Sequence, residues 1–159
     1  MQITTNNDEQ TKNLGKRVGE KLTGREILAL VGPLGAGKTT FVQGLAEGLG
    51  IKNRITSPTF IIMRKYKIKL KSQNSNVKTT TKNLKLMNFY HVDLYRLEQN
   101  LEQEIKNLGL DEIWGKRENI MAIEWADKIS RFLPDNTQWI KFNVTDDEKH
   151  LIELPEELT

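Results

Sequence analysis

The sequence predicts an α/β fold with a mainly parallel sheet flanked by helices and with antiparallel hairpin additions. Short apolar stretches of strand character alternate along the chain with stretches in which apolar residues recur at helical spacing, and strands separated by helices tend to pair in parallel. Two strand-like segments close together near the end of the chain predict an antiparallel hairpin. A chain of 159 residues has the length of one domain, which we expect to span residues 1–159.

The first three predicted elements are a helix, a strand and a second helix. Apolar residues at helical spacing follow the capping pair Asn7-Asp8 and predict a helix that ends at Gly24. Residues 26–31 form an apolar stretch that is typical of a strand. Between residues 41 and 49 the apolar residues return to helical spacing, and Gly50 stands where a helix would end.

The middle of the chain contains two predicted strands separated by a basic tract. Residues 59–63 and 86–93 are rich in strand formers. Between them Tyr66, Ile68 and Leu70 alternate loosely, and residues 72–82 then become polar and have no apolar period. We expect residues 67–85 to form a mobile basic hairpin insertion. From Gly48 to Val92 the chain has ten Lys and Arg residues and no Asp or Glu.

This basic bias has two interpretations. It could form a surface that meets RNA or an acidic partner. It could also reflect a solvent-exposed loop that is rich in lysine because the whole sequence is biased towards lysine and asparagine. Aromatic residues are not interleaved with the lysines beyond Tyr66, so no stacking platform for bases is visible and the second interpretation is favoured.

The last third of the chain predicts a helix, a buried strand and a hairpin. Apolar residues from Leu97 to Leu108 recur at helical spacing, and Gly109 would end that helix. Residues 120–124 are four apolar residues closed by an acid, the pattern of a short buried strand. Residues 139–144 and 151–154, with a polar turn between them, predict the terminal hairpin.

The composition excludes several classes of protein. The chain has no cysteine, which excludes disulfides and thiolate metal sites, and its two histidines are too far apart in sequence to favour a zinc site. No apolar stretch has the length of a membrane span, and residues 1–9 do not resemble a secretory signal. The absence of cysteine also suits a reducing compartment, so we expect a cytoplasmic protein with no membrane partner.

A phosphate-binding loop lies between the predicted strand and the second helix. Gly32 to Thr39 reads G-P-L-G-A-G-K-T, which matches the pattern G-x-x-x-x-G-K-[ST] in the strand–loop–helix context that its mechanism needs. Such a loop surrounds polyphosphate with backbone N–H groups at a helix N-terminus. The expected nucleotide-binding residues here are Leu34, Gly35, Ala36, Gly37, Lys38, Thr39 and Thr40. The alternative is a chance glycine-rich turn with a surface lysine, which the flanking elements disfavour.

Within this loop Lys38 would reach the β- and γ-phosphates, and the Thr39 hydroxyl would bind Mg²⁺. A hard cation needs further oxygen ligands, so a carboxylate at the end of a neighbouring strand is expected. Glu124 ends a buried strand and is the favoured metal ligand; Asp93 also follows strand-forming residues. Either acid could instead cap the segment that follows it, and for Asp93 the two interpretations are equally balanced.

Four blocks together resemble a known family. They are Gly35-Ala36-Gly37-Lys38-Thr39-Thr40-Phe41, Ser57-Pro58-Thr59-Phe60, His91-Val92-Asp93-Leu94-Tyr95-Arg96-Leu97 and Ile123-Glu124-Trp125, in that order. This arrangement is similar to the bacterial TsaE family, the small ATPase of tRNA threonylcarbamoyladenosine synthesis, and the likeness runs from about residue 9 to residue 125. The resemblance implies an ATP- and Mg²⁺-dependent protein that acts with the transferase pair TsaD and TsaB on adenosine 37 of ANN-decoding tRNAs.

The resemblance also implies roles for particular residues. Lys38 and the loop amides would hold ATP, Thr39 and Glu124 would hold Mg²⁺, and Asp93 would serve hydrolysis or coupling. The catalytic residues are therefore expected to be Lys38, Asp93 and Glu124. Thr11 would lie near the nucleotide, although helix capping explains it nearly as well. Trp125 would cover the site or face a partner. Alternatively, it is simply a buried residue of the hydrophobic core.

One of the four blocks matches the family's switch segment, and two parts of the chain depart from the family pattern. Ser57-Pro58-Thr59-Phe60 occupies the place of a switch that orders with ATP, or is an ordinary loop that enters a strand; Pro58 holds Ser57 in extended geometry. Pro33 stands where an acidic or polar residue is common. Residues 67–85 are longer and more basic than the family's usual hairpin, and we favour a decoration with at most indirect or weak tRNA contact.

Other functions remain compatible with a phosphate-binding loop. A small-molecule or nucleoside kinase would need an acceptor pocket and an arginine-bearing lid, for which Arg131 is thin support. A GTPase is weaker, since no N-K-x-D motif occurs. A non-catalytic, nucleotide-gated interaction module is the third class. No arginine finger is obvious, so we expect slow hydrolysis by the chain alone and faster turnover with a partner.

Overall fold

A mixed sheet organises the fold. The computed structural model describes residues 1–52, 55–56, 62–71 and 84–159. Within these residues seven strands form one sheet in the order β1-β7-β6-β2-β5-β4-β3. The strands are β1 (Gln2–Thr5), β2 (Ile27–Val31), β3 (Met63–Lys71), β4 (Leu84–Asp93), β5 (Asn119–Glu124), β6 (Gln138–Val144) and β7 (His150–Glu153).

Four central strands run parallel and three outer strands are antiparallel additions. β2 pairs in parallel with β5 and β6, and β4 pairs in parallel with β5. β3 joins β4 as an antiparallel hairpin, β7 joins β6 in the same way, and β1 pairs with β7. This arrangement confirms the predicted mainly parallel α/β sheet with hairpin additions.

Helices cover both faces because the central strands are apolar on both sides. The helices are α1 (Asp8–Lys21), α2 (Lys38–Gly48), α3 (Leu101–Asn107) and α4 (Leu110–Ile113), with 3₁₀ segments at Ala126–Phe132 and Glu156–Leu158. Leu28 and Leu30 of β2 face the core shared with α1 and α2, whereas Ile27 and Ala29 face the core shared with α3, α4 and Ala126–Phe132. Alternating side chains therefore build two apolar cores, one on each face.

Helices α1 and α2 approach each other so closely that glycine is required between them. A Cβ atom added at Gly44 of α2 would lie 1.9 Å from the backbone oxygen of Lys12 in α1. The same two helices contain Gly15 and Gly48, where an added Cβ would also meet the backbone of the partner helix. This packing holds α2, and with it the loop that precedes α2, against the sheet.

Strand β3 is the last strand on one side of the sheet. Its residues Arg64, Lys65, Lys67 and Lys69 are exposed. Lys65 Nζ lies 5.5 Å from the centroid of the Tyr90 ring of β4, and Lys71 is the register partner of Leu84. Of the predicted basic insertion 67–85, residues 72–83 lie outside the described residues.

Most predicted elements are confirmed, with four differences. The helix predicted to begin at Leu97 begins at Leu101, because Asn100 adopts a left-handed conformation (φ 53°) that interrupts the helix; Leu97 instead packs against the core from a turn. Strand β1 and the short helix α4 are additions that the apolar patterns in the sequence do not predict. The strand predicted at residues 59–63 lies outside the described residues up to Ile61, and the observed strand begins at Met63.

In the part of the chain that the structure describes, no helix combines the length and the hydropathy needed to cross a membrane.

Candidate functional site

The phosphate-binding loop connects the end of β2 to the start of α2 at the carboxyl edge of the parallel strands. Gly37 directly precedes α2 and is left-handed, with φ 90°. A Cβ at Gly37 would lie 2.8 Å from His150 Nδ1, so both the backbone conformation and the available space favour glycine here. Helix α2 begins at Lys38, so the N–H groups of its first turn are part of the loop motif. The N–H groups of a first helical turn lack acceptors within the helix. This is the local geometry that suits an anion.

The ammonium group of Lys38 is turned back onto the loop. Its Nζ donates hydrogen bonds to the carbonyl oxygens of Gly32 and Pro33, both at 2.7 Å, and lies 4.1 Å from the centroid of the Trp125 ring. Pro33, which departs from the family pattern, thus contributes its carbonyl to the loop. Burial lowers the pKa of Lys38 below its usual 10.5, against the opposing influence of the nearby carboxylates Glu124, Asp93 and Asp127.

Thr39, Glu124 and His91 form a chain of hydrogen bonds behind the loop. The Thr39 hydroxyl donates to Glu124 Oε2 at 2.8 Å. The other carboxylate oxygen, Oε1, lies 2.7 Å from His91 Nε2. His91 and Glu124 are both buried, so the carboxylate of Glu124 is held between two side chains inside the protein.

Asp93 lies beside Glu124 at the same edge of the sheet. The two residues are register partners at the ends of β4 and β5, and Asp93 is also buried. Asp93 Oδ1 accepts a hydrogen bond from the backbone N–H of Tyr95 at 3.0 Å. The parallel pairing of β4 with β5 therefore brings both predicted acids to the loop, as expected for strands that end at one edge.

The donor set fits a magnesium ion that shares its coordination with phosphate. Thr39 and Glu124 offer hydroxyl and carboxylate oxygens, the hard ligands that Mg²⁺ prefers, with Asp93 adjacent. Among the described residues no cluster of three His, Cys, Asp or Glu side chains could enclose a metal ion by itself. Mg²⁺ is commonly bound through one or two protein ligands together with substrate phosphates and water, and the residues present match that mode.

A cavity of about 490 Å³ opens above these groups. Its described walls are Asp8, Leu34, Gly35, Ala36, Gly37, Lys38, Thr39, Thr40, Asp93, Tyr95, Glu124 and Trp125. Leu34 is 73% exposed and Tyr95 is 44% exposed at its mouth. The rings of Tyr95 and Trp125 are 5.1 Å apart, so an aromatic pair forms one wall.

Comparison with known proteins identifies the family. The family model described as "Threonylcarbamoyl adenosine biosynthesis protein TsaE" matches residues 5–152. The chain belongs to the TsaE family. It is 36% identical over 148 residues to the tRNA threonylcarbamoyladenosine biosynthesis protein TsaE of Bacillus subtilis, which is 92% of this chain and 80% of that protein. The TsaE protein of a Nostoc species is 42% identical over 124 residues, 76% of this chain and 65% of the relative.

A solved structure supports the fold of this TsaE-family chain. The crystal structure of YdiB from Bacillus subtilis matches with a TM-score of 0.69 and 29% sequence identity, and the match covers 96% of this chain and 82% of that chain. Together with the strand–loop–helix geometry, this match identifies the phosphate-binding-loop NTPase fold that the sequence predicted.

The structure brings most of the predicted site residues of this TsaE-family chain together. The loop from Leu34 to Thr40 lines the cavity with Asp93, Glu124 and Trp125. Trp125 is half-buried: its ring lies over Lys38, and it also packs against the core on that face of the sheet. The predicted switch residues Ser57, Pro58 and Thr59 lie outside the described residues.

Thr11 lies beneath the loop and is fully buried. Its hydroxyl lies 2.6 Å from Thr5 Oγ1 and 3.1 Å from His150 Nδ1, and its methyl group lies near Gly37. It is not among the described residues that line the cavity. A direct contact between Thr11 and the nucleotide therefore stays a prediction, and the geometry shows Thr11 supporting the loop from below.

Sequence reasoning missed four residues of the TsaE site. Asp8 and Tyr95 line the cavity, His91 holds Glu124, and His150 lies against the loop at Gly37. The sequence offered a signal for His91: residues 91 and 93 are two apart on a predicted strand, so their side chains lie on the same face. No local signal was available for His150, because it reaches the loop only through the pairing of β7 with β1 and β6.

Proposed function

We propose that this chain is the ATP-binding and ATP-hydrolysing subunit required for threonylcarbamoyl modification of adenosine 37 in ANN-decoding tRNAs, with Mg²⁺ as its metal. One observation carries the ATPase part: the hydrogen bond of 2.8 Å between Thr39 Oγ1 and Glu124 Oε2. It joins the hydroxyl of a phosphate-binding loop to the carboxylate at the end of a neighbouring parallel strand. Membership of the TsaE family supports the tRNA part.

Each part of the site has a distinct task in this proposal. The loop amides and the N-terminus of α2 bind the phosphates of ATP. Thr39 and Glu124 would hold Mg²⁺, which offsets phosphate charge when it is bound. Asp93, the register partner of Glu124, would orient the attacking water or couple hydrolysis to the rest of the chain. Tyr95 and Trp125 form a wall that limits access of solvent.

Lys38 must change partners when ATP binds. In this structure its Nζ bonds to the carbonyls of Gly32 and Pro33 under the Trp125 ring. An ammonium group gains more from the charged β- and γ-phosphates than from neutral carbonyls, because opposite charges attract each other more strongly than a charge attracts a dipole. We infer that Lys38 leaves these carbonyls for the phosphates and that this exchange is part of binding.

We further propose that TsaD-like and TsaB-like proteins complete the site. Among the described residues no arginine lines the cavity, and an arginine supplied by a partner can accelerate phosphoryl transfer by several orders of magnitude. The exposed side chains of Leu34 and Tyr95 at the mouth offer apolar contacts for such a partner. Hydrolysis by the chain alone would then be slow, tRNA contact indirect or weak, and the place of action the cytoplasm, where tRNA is modified.

Calorimetry with Mg·ATP tests the binding step. Wild-type protein should bind, and Lys38→Ala should lose most of the affinity, because the main positive charge that faces the phosphates is gone. Lys16→Ala, at an exposed position of α1, is the matched control and should bind as the wild type does. Folded wild-type protein that takes up no Mg·ATP would refute the proposal.

Release of inorganic phosphate separates the ATPase from a kinase. An ATPase releases phosphate from Mg·ATP with no acceptor present, and the rate should rise when TsaD-like and TsaB-like proteins are added. A small-molecule or nucleoside kinase would release phosphate only slowly and would transfer it when an acceptor is supplied. A chain that hydrolyses ATP at the same rate alone and with both partners would contradict the proposed activation.

A further inference from the structure

His91 makes a specific contact with the carboxylate of Glu124. It lies in β4, its side chain is fully buried, and its Nε2 is 2.7 Å from Glu124 Oε1. The other carboxylate oxygen, Oε2, accepts from the Thr39 hydroxyl at 2.8 Å. The two carboxylate oxygens of Glu124 therefore have different partners: Oε1 contacts His91, and Oε2 contacts Thr39 of the loop.

His91 has one hydrogen-bonded ring nitrogen among the described residues. Its Nε2 faces Glu124 Oε1, whereas the second ring nitrogen, Nδ1, is buried and has no partner among the described residues. An ionised carboxylate, the form that binds a metal, only accepts hydrogen bonds, so Nε2 serves it as the donor. The contact with Glu124 is therefore the hydrogen bond that orients this side chain.

We propose that His91 is a positioning residue for the magnesium site: it fixes the rotation of the Glu124 carboxylate so that Oε2 is presented beside Thr39. A glutamate side chain has three rotatable torsions, and an unheld carboxylate would sample several orientations. Ligand orientation by an outer hydrogen-bonding partner is a general property of metal sites, where its loss weakens metal affinity about 10- to 100-fold. This inference rests on the proposed function, because it assigns His91 a task toward Mg²⁺.

A structural role alone would give different results. If His91 only fills space in the sheet, its replacement would lower stability and would weaken nucleotide binding equally with and without Mg²⁺. If it positions Glu124, its replacement would weaken the Mg²⁺-dependent part of binding while leaving the contacts of the loop amides and Lys38 with the phosphates unchanged. The ratio of the two ATP affinities distinguishes these cases.

The test compares His91→Leu, which removes the donor, with His91→Gln, which keeps a side-chain N–H. Phe89→Leu is the matched control: Phe89 is two residues earlier on the same face of β4, is fully buried and has no hydrogen-bonding side chain. ATP affinity is measured by calorimetry in Mg²⁺ and in EDTA. We expect the enhancement by Mg²⁺ to fall about 10- to 100-fold in His91→Leu, to recover largely in His91→Gln and to change less than about 3-fold in Phe89→Leu.

A second measurement does not depend on nucleotide and uses the wild-type chain. The protein has two histidines, so ¹⁵N-histidine labelling gives two ring systems, and His150→Gln identifies the signals of His91. The chemical shifts should show that Nε2 of His91 carries a proton, as a donor to Glu124 requires. An Nε2 without a proton would overturn the donor role even if His91→Leu failed to fold.

The outcomes separate the two proposals. If the wild type binds ATP more tightly with Mg²⁺ and His91→Leu shows the same enhancement, the positioning role is overturned while the proposed function stands. If the wild type binds no ATP, or binds it equally well in EDTA, the proposed function is overturned and the positioning role falls with it. A reduced enhancement in His91→Leu, restored in His91→Gln, supports both.

Discussion

Lys38 Nζ lies 4.1 Å from the centroid of the Trp125 ring. A cation over an indole face is attracted by the ring quadrupole, so Trp125 stabilises the position that Lys38 takes on the carbonyls of Gly32 and Pro33. Trp125 itself has a left-handed backbone (φ 60°) at the junction between β5 and the 3₁₀ segment. In the proposed exchange ATP recruits Lys38, so ATP binding would also change the surroundings of this indole.

We expect ATP binding to change the intrinsic fluorescence through Trp125. The ammonium of Lys38 would leave the ring and a phosphate chain would approach it, and both changes alter the local field at the indole. Titration with Mg·ATP should change the emission of the wild type and of Trp139→Phe, which removes a tryptophan of β6 outside the described walls of the cavity. The change should vanish in Trp125→Phe; its persistence there would show that the indole does not sense the exchange.

Glu124→Gln should separate binding from turnover. The amide keeps the size of the side chain but removes the charge that the metal needs, so ATP should still bind in EDTA while Mg²⁺-dependent phosphate release falls about 100-fold or more. The matched control is Glu118→Gln, an exposed acid directly before the same strand. Normal hydrolysis by Glu124→Gln, measured as steady-state phosphate release, would show that the metal site is wrongly assigned.

The lowered pKa of Lys38 predicts a pH-dependent contribution to stability. Burial makes the folded chain release this proton below 10.5, the usual pKa of lysine, so the unfolded chain binds more protons between the lowered pKa and 10.5. Within that window a rise in pH favours the folded state. The free energy of unfolding of the wild type, relative to Lys38→Met, should therefore increase with pH up to about 10.5.

Denaturant titrations at several alkaline pH values measure this difference. Lys16→Met, at an exposed position of α1, controls for the loss of one surface charge. A difference between the wild type and Lys38→Met that falls as pH rises would have the wrong sign for a buried lysine and would contradict the assignment.

Gly44→Ala should destabilise the packing of α1 on α2. The added Cβ would lie 1.9 Å from the backbone oxygen of Lys12, and no side chain can yield to relieve this contact. The helices must separate, at a cost of about 1–3 kcal/mol in the free energy of unfolding, which urea titration measures. Glu20→Ala, on the exposed face of α1, should change the stability by less than about 0.5 kcal/mol. Gly44→Ala with wild-type stability would show that the helices can part without cost.

Deletion of residues 72–81 should leave folding and ATPase activity nearly unchanged. Lys71 and Leu84 are register partners across β3 and β4, and the deletion would leave Lys82 and Asn83 between them, the length of a two-residue hairpin loop. Thermal unfolding and phosphate release check the stability and the activity. Loss of tRNA modification by the deleted variant in the complete reaction would overturn the view that this basic tract is a decoration.

The sequence predicted those elements whose structure depends on residues close together in the chain. The strand before the loop, the loop and α2 follow from a motif and from apolar spacing, and Glu124 was recognisable as an acid at the end of a buried strand. The start of α3 was misplaced because the apolar spacing continues through Leu97, whereas the left-handed conformation of Asn100 interrupts the helix. Spacing alone does not reveal such a break.

The missing parts depend on contacts between distant segments. β1 is four residues long, contains one apolar residue and exists because it pairs with β7, about 150 residues later. In the same way the contact of His91 with Glu124 depends on the parallel register of β4 and β5. From the sequence, Glu124 ends one predicted strand and His91 lies two residues before the end of another; only the strand order shows that they meet.

The lysine-rich strand β3 has a consequence for behaviour at high concentration. It closes one side of the sheet, and in the described part of the chain no further strand covers its outer edge. An uncovered edge strand can form backbone hydrogen bonds with the edge strand of a second molecule, and such pairing leads to aggregation. Natural proteins often prevent this pairing with charged side chains, lysine above all, on the edge strand. Lys65, Lys67 and Lys69 would confront their own counterparts across such a junction and repel them. The positive charges of this strand thus have a use that needs no nucleic acid: they keep the molecules apart.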